Sequence, residues 1–232
     1  MIARITADGQ LDWAKSYGGN KYERFLSVAV ASDGGIVAAG DSWSTKGDFP
    51  STKGSGSTLL TRLTPDGQVV WARTYGGESF YSVALMGDGS IVAAGDTTHE
   101  DADFPSVGGL DALVAHFKAD GSLTWARVYG DTAGDSFYSV AVTGEGGILA
   151  AGYSTVIPPR PWGNQDAFVA SLTPDGKEDW ARTYGGSGGD IFESLALTAD
   201  GHIVAAGGTT SEDGTQSAVI VRMMPDESVA VG

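Results

Sequence analysis

The 232-residue chain contains no cysteine. That absence removes disulfides and every thiolate metal site, and leaves the redox compartment unreadable. No apolar run approaches the ~18 residues that a membrane-crossing helix needs, so membrane insertion by a helix is not expected. No stretch of about ten or more residues carries a 3.6-residue period, so helix is expected to be essentially absent. Basic residues are also few: 14 lysines and arginines stand against 29 aspartates and glutamates, a formal charge of -15. Nucleic acid and anionic membrane surfaces repel such a chain, which leaves cations, neutral ligands and proteins as partners. The opening residues Met1-Ile2-Ala3-Arg4-Ile5 lack the apolar core of a signal peptide and read directly as strand. Either the chain stays in the cytoplasm, or it is a mature or truncated piece of an exported protein; its localisation is left open.

What the chain does have is glycine and repetition. Glycine accounts for 35 residues, about 15% and roughly twice ordinary usage, without a collagen-like period. A five-residue apolar run ending in glycine occurs four times, as Ile36 to Gly40, Ile91 to Gly95, Ile148 to Gly152 and Ile203 to Gly207. A second landmark is Trp13 to Tyr17, recurring as Trp71 to Tyr75, Trp125 to Tyr129 and Trp180 to Tyr184. A unit of about 55 residues built from short strands cannot bury its own faces and has to stack on its neighbours. In the second unit four strands are expected, at 80–85, 91–95, 113–117 and 123–129, separated by Asp-Gly turns and one longer loop. Four antiparallel strands repeated radially give an all-β fold, a β-propeller of four four-stranded blades. The whole chain, 1–232, then forms one domain with repeats at about 1–56, 57–110, 111–165 and 166–216, and a partial unit at 217–232. An extra N-terminal outer hairpin remains, able to close the ring or to pair with another chain, because an open sheet edge recruits a partner.

The period of two places Trp71, Arg73 and Tyr75 on one face of the outer strand. Trp13, Trp71, Trp125 and Trp180, with Tyr17, Tyr75, Tyr129 and Tyr184, are therefore expected to be structural, filling blade-to-blade contacts. Each inner strand opens with an acid-x-Phe-x-Ser pattern, whose acids are Glu23, Glu78, Asp135 and Asp190. These acids can pair with a base, accept backbone N–H bonds from the Gly-Gly turn, or ring the channel mouth and hold a cation such as calcium. No cofactor is required by any motif. Loops between second and third strands, at 41–56, 96–110, 153–165 and 208–216, differ most between repeats and are the expected binding face. Their candidate ligand-binding residues are Trp43, Phe49, His99, Asp103, Phe104, Tyr153 and Trp162. His99, His116 and His202 show no metal-ligand spacing. Gly185-Gly186-Ser187-Gly188-Gly189 fits G-x-S-x-G, yet it is the local form of a turn present in each repeat, with no helix behind it.

The units resemble bacterial β-propeller repeats that read D-A-F-V-A-x-L-x-P-x-G-x-x-x-W-x-x-x-Y-G-G and continue into an apolar strand ending in V-A-G. The match here is Asp166 to Gly176, then Trp180 and Tyr184-Gly185-Gly186, together with the loops Asp48-Phe49-Pro50 and Asp103-Phe104-Pro105. Residues 2–12 are similar to repeats of the A-R-L-x-x-D-G-x-L-D type. The resemblance implies a propeller, and proteins that are mostly secreted or on the cell surface; it implies little chemistry. This chain departs from it by lacking an export signal and by carrying Asp131 in place of a glycine. The function expected is a non-catalytic binding or scaffold module that takes a glycan or a protein on its long-loop face. Two alternatives stand beside it: a self-assembling homo-oligomer with a mainly structural role, and a carboxylate-based glycan hydrolase or lyase at the channel mouth.

Overall fold

The glycine that ends each apolar run decides how the strands pair. In the computed structural model, which describes residues 1–51, 56–98, 103–104, 106, 108–130, 132–155, 165–211 and 213–224, this glycine faces a β-bulge on the strand beside it. The first four-stranded sheet contains β3 (Glu23–Val30), β4 (Ile36–Ser42), β5 (Ser57–Leu63) and β6 (Val69–Tyr75). The second contains β7 (Ser79–Leu85), β8 (Ile91–Thr97), β9 (Asp111–Phe117) and β10 (Leu123–Tyr129). The third holds β11 (Asp135–Val142), β12 (Ile148–Thr155), β13 (Gln165–Leu172) and β14 (Glu178–Tyr184). The last described sheet has three strands, β15 (Asp190–Leu197), β16 (Ile203–Thr210) and β17 (Gln216–Met223). All pairings are between sequence neighbours and antiparallel, so each sheet is a propeller-like blade.

The register of every first pair slips at the same place, between Phe25 and Ser27, Phe80 and Ser82, Phe137 and Ser139, and Phe192 and Ser194. The extra residue bends the inner strand towards its partner. A Cβ on Gly40, Gly95, Gly152 or Gly207 would then lie 1.8–2.0 Å from a carbonyl oxygen of that strand. Only glycine tolerates the approach. The serine after the bulge reaches the next sheet: Ser27, Ser82 and Ser139 each accept the backbone N–H of Val83, Val140 and Leu195 through Oγ, all at 3.1 Å.

Sheets stack through one recurring apolar contact. Val37, Ala39 and Leu60 pack on Phe80, Val83, Ala93 and Phe117; Val92, Ala94 and Val114 do the same to the third sheet, and Leu149, Ala151 and Val169 to the last. Ala38, Ala93, Ala150 and Ala205 are all fully buried. The outer strands serve the same junctions from the rim. Trp71 lies against the Gly121 turn and Trp125 against the Gly176 turn, each where a Cβ would touch the indole. Tyr75 donates to the Gly121 carbonyl. Arg73, Arg127 and Arg182 lie 5.0–5.9 Å over the indoles of their own strands.

The N-terminal hairpin, β1 (Ile2–Ile5) and β2 (Leu11–Lys15), forms a two-stranded sheet of its own. It does not complete the last sheet. Trp13 and Tyr17 instead donate to the carbonyls of Pro65 (3.2 Å) and Gly67 (2.7 Å), on the outer turn of the first four-stranded sheet. The reason is local: its Trp and Tyr take the same kind of turn that Trp71 and Tyr75 take one sheet later. Among the described residues β17 pairs only with β16, so no closed ring is formed there.

The glycine contact yields a clean comparison. Gly95→Ala forces a methyl into a backbone oxygen and is expected to cost about 3 kcal/mol or more, whereas Gly87 has open space around it. Gly87→Ala is expected to be neutral or to stabilise by up to about 1 kcal/mol. Urea denaturation of both variants checks this; equal effects would contradict the bulge account.

Candidate functional site

At the end of the sheets where the long loops emerge, a groove of about 490 Å³ opens between the first and second four-stranded sheets. Tyr22, Arg24 and Trp43 line one wall, Glu78 and Tyr81 the other, with Asp41 and Asp96 at the ends of β4 and β8. The location follows from the repeat. Asp41 and Asp96 stand directly after the packed glycine, where the second strand leaves the core, and Arg24 and Tyr81 flank the bulge phenylalanines Phe25 and Phe80.

These are the positions at which the repeats stop resembling one another. After the glycine come Asp41, Asp96, Tyr153 and Gly208; before the phenylalanine, Arg24, Ser79, Ser136 and Ile191; after it, Leu26, Tyr81, Tyr138 and Glu193. The residues between them scarcely change. The corresponding hollow in the last sheet, about 420 Å³, is lined by Ile191, Glu193, Gly208 and neighbours without any aromatic ring.

Arg24 Nε lies 2.8 and 3.2 Å from the two carboxylate oxygens of Asp41. Burial raises the Asp41 carboxyl above its ordinary value, although Arg24 and Trp43 pull it back down. Asp96 is 1% exposed. Its Oδ2 accepts from Ser136 of the third sheet at 2.9 Å, and no hydrogen-bond donor among the described residues reaches Oδ1. Burial lifts its pKa from 3.8 to about 6, against the pull of Ser136 and Tyr81 and with a smaller push from Glu78. Tyr81, Tyr138 and Tyr153 continue from the groove as a chain of rings, 5.1 and 5.8 Å apart. Burial raises all three phenols above their ordinary value.

Of the residues expected to bind ligand, Trp43 lies in the groove wall and is 38% exposed. Tyr153 is buried at the end of the tyrosine chain. Phe49 and Phe104 face inward. Phe49 packs 5.8 Å from Tyr17 and 5.5 Å from Phe25, and Phe104 packs 5.8 Å from Tyr75 and 5.9 Å from Phe80. Asp103 accepts the Gly76 N–H at 2.8 Å, and Asp48 does the same for Gly18 at 2.9 Å. Asp48 and Asp103 therefore tie down the Gly-Gly turns while Phe49 and Phe104 plug the core, and neither phenylalanine is open to a ligand. His99 and Trp162 lie outside the described residues.

The four acids that open the inner strands accept hydrogen bonds close at hand. Glu23 takes the Gly19 N–H, Glu78 the Thr98 hydroxyl, Asp135 the Thr155 N–H and Asp190 the Gly186 N–H, at 2.6–3.3 Å. Among the described residues no three of His, Asp and Glu converge as metal ligands.

Comparison with known proteins finds propellers, in part. A family model described as "Domain of unknown function (DUF5122) beta-propeller" matches residues 198–229. No curated protein matches. A crystal structure of the WD40 β-propeller domain of Doa1 is 13% identical, with a TM-score of 0.44, over 85% of this chain and 62% of that one. The chain thus covers less than two thirds of the Doa1 domain.

Asp96 supplies the prediction. Between about pH 4 and 6 the folded chain holds a proton that the unfolded chain has released, so stability falls as pH rises through that window. Asp96→Asn removes this dependence. Urea denaturation at pH 4 and pH 7 should show the wild type losing roughly 2 kcal/mol relative to the variant. Parallel pH profiles would contradict the burial of an ionisable Asp96.

Proposed function

We propose that the chain is a non-catalytic binding module that holds a glycan in the groove between its first two four-stranded sheets. The observation that supports this is the convergence of repeat-breaking polar and aromatic residues, Arg24, Asp41, Tyr81 and Asp96, on that groove. A scaffold needs no such variation at its strand ends. The volume lies in the ~300–1,000 Å³ range of small-ligand sites, and the concave shape is unlike the broad, flatter footprint of a protein partner. Trp43 and Tyr22 offer exposed ring faces for the apolar side of a sugar. Arg24, Asp41 and Glu78 offer donors and acceptors for its hydroxyls. The acidic surface favours a neutral glycan over a sulfated or uronic one.

The raised pKa of Asp96 favours a second reading, a glycan hydrolase with Asp96 as general acid. Against it, Asp96 is only 1% exposed where it lines the groove and its Oδ2 is held by Ser136, which leaves little of it for a glycosidic oxygen to touch. A proton donor has to touch the leaving group.

A glycan array probed with the intact chain, Trp43→Ala and Arg24→Ala tests the proposal. One glycan class is expected to bind, and each variant to weaken it about tenfold or more. Binding unchanged in both variants would remove the groove as the site. Release of reducing ends that stops in Asp96→Asn would establish the hydrolase instead.

A further inference from the structure

The three internal junctions show what each sheet offers and what it receives. The offered strip comes from all four strands: Ala29, Val37, Ala39 and Leu60 from the first sheet, with Trp71 and Tyr75 behind them. The received position on the inner strand is Val83, Val140 or Leu195, only 6%, 7% and 8% exposed. Its counterpart on the first sheet, Val28, is 53% exposed, with Leu26 and Val30 bare on either side of it. The hairpin covers only the outer part of this face, through Ile2, Trp13 and Tyr17 against Ile36, Ala38 and Leu63. The inner strip, which Ala29, Val37 and Ala39 would cover one junction later, has nothing on it among the described residues. It is continuous with the junction already formed.

The matching surface is at the other end of the molecule. Ala196, Val204 and Ala206 stand in β15 and β16 where Ala29, Val37 and Ala39 stand in β3 and β4, and all three are exposed or half-exposed. The hydrogen bonds also match. Three serines of the inner strands accept an N–H from the following sheet; the fourth, Ser194, is exposed and makes no such bond among the described residues. The N–H at the equivalent place on the first sheet, that of Val28, finds no serine among the described residues.

We propose that a second copy of this chain covers the bare strip, its β15–β16 face packing on Val28 and its Ser194 accepting the Val28 N–H. Two copies related by a two-fold axis make this junction twice, first sheet to last sheet in each direction. Ile2 in β1 and Ile220 in β17 occupy equivalent places in their sheets, so a junction seats only one of them. Ile2 is already buried against Ile36, with Trp13 and Tyr17 behind it, whereas Ile220 is 77% exposed. β1 therefore keeps the place, and the incoming copy's β17 gives up its ladder with β16 and the packing of Val219, Val221 and Met223, which the exposed Met1, Ala3 and Ile5 take over by register. The residues that meet are mainly apolar, Leu26, Val28 and Val30 against Ala196, Val204 and Ala206, as in the internal junctions.

Light scattering on the full chain at ~100 μM tests this, and is expected to give twice the 23.8 kDa chain mass. Val28→Asp should return the single-chain mass with an unchanged strand signal in circular dichroism, because Val28 is exposed in the lone chain. Ser194→Ala should weaken dimerisation about 25-fold, the effect of one neutral hydrogen bond at each of the two junctions. Ile220→Asp should leave the dimer intact. A single-chain mass for the wild type, or a dimer that survives Val28→Asp, would overturn the proposal. Loss of the dimer in Ile220→Asp would overturn the exchange of β17 for β1.

Discussion

The whole architecture depends on one close approach, the glycine at the end of each apolar run beneath a bulged carbonyl. The bulge turns the inner strand so that a serine leaves its own sheet and reaches the next one. It also aligns the valines and alanines of one sheet with the phenylalanines of its neighbour. Each sheet is too narrow and too small-residued to hold itself together. Its stability is borrowed from the two faces beside it, and the tryptophans of the outer strands close each junction at the rim.

The same geometry explains where the polar variety is. Residues on either side of the bulge and just beyond the glycine project from the packed layer at the loop end. They are fixed by rigid strands but are not needed for stacking, so they are free to differ. In the first two sheets that freedom produces an arginine–aspartate pair, exposed Trp43 and Tyr22, and a buried carboxyl held under tyrosine and serine. In the last sheet it produces glycine, isoleucine and a single glutamate.

Much of the strand layout was legible from residues alone. Ile91 to Gly95 reads as a buried strand because nothing in it is polar, and Pro65-Asp66-Gly67 reads as a hairpin turn because only such residues suit it. The bulge was not legible, because an inner strand such as Phe80 to Leu85 keeps an apparent period of two across the slip. With the bulge unseen, Arg24 looks like a filler between an acid and its phenylalanine and Tyr81 like one between a phenylalanine and its serine, and the groove they line goes unnoticed. A signal did exist, in the contrast between Arg24, Ser79, Ser136 and Ile191 and the constant residues around them. Phe49 and Phe104 read as ligand contacts because they sit in the variable loops; an aspartate on either loop, accepting a glycine N–H, folds the ring inward instead. The place of the hairpin was likewise hidden, since Trp13 satisfies equally well a rule of strand pairing and a rule of turn packing.

If stacking supplies the stability, strands covered on both sides must open less often than a strand covered on one. Native-state hydrogen exchange on the Val28→Asp chain, where no second copy covers the last sheet, measures this directly. Amides of Val92 to Gly95 and Leu149 to Gly152 are predicted to exchange far more slowly than those of Val204 to Gly207. Equal protection of the three runs would contradict the account, because each sheet would then be holding itself together.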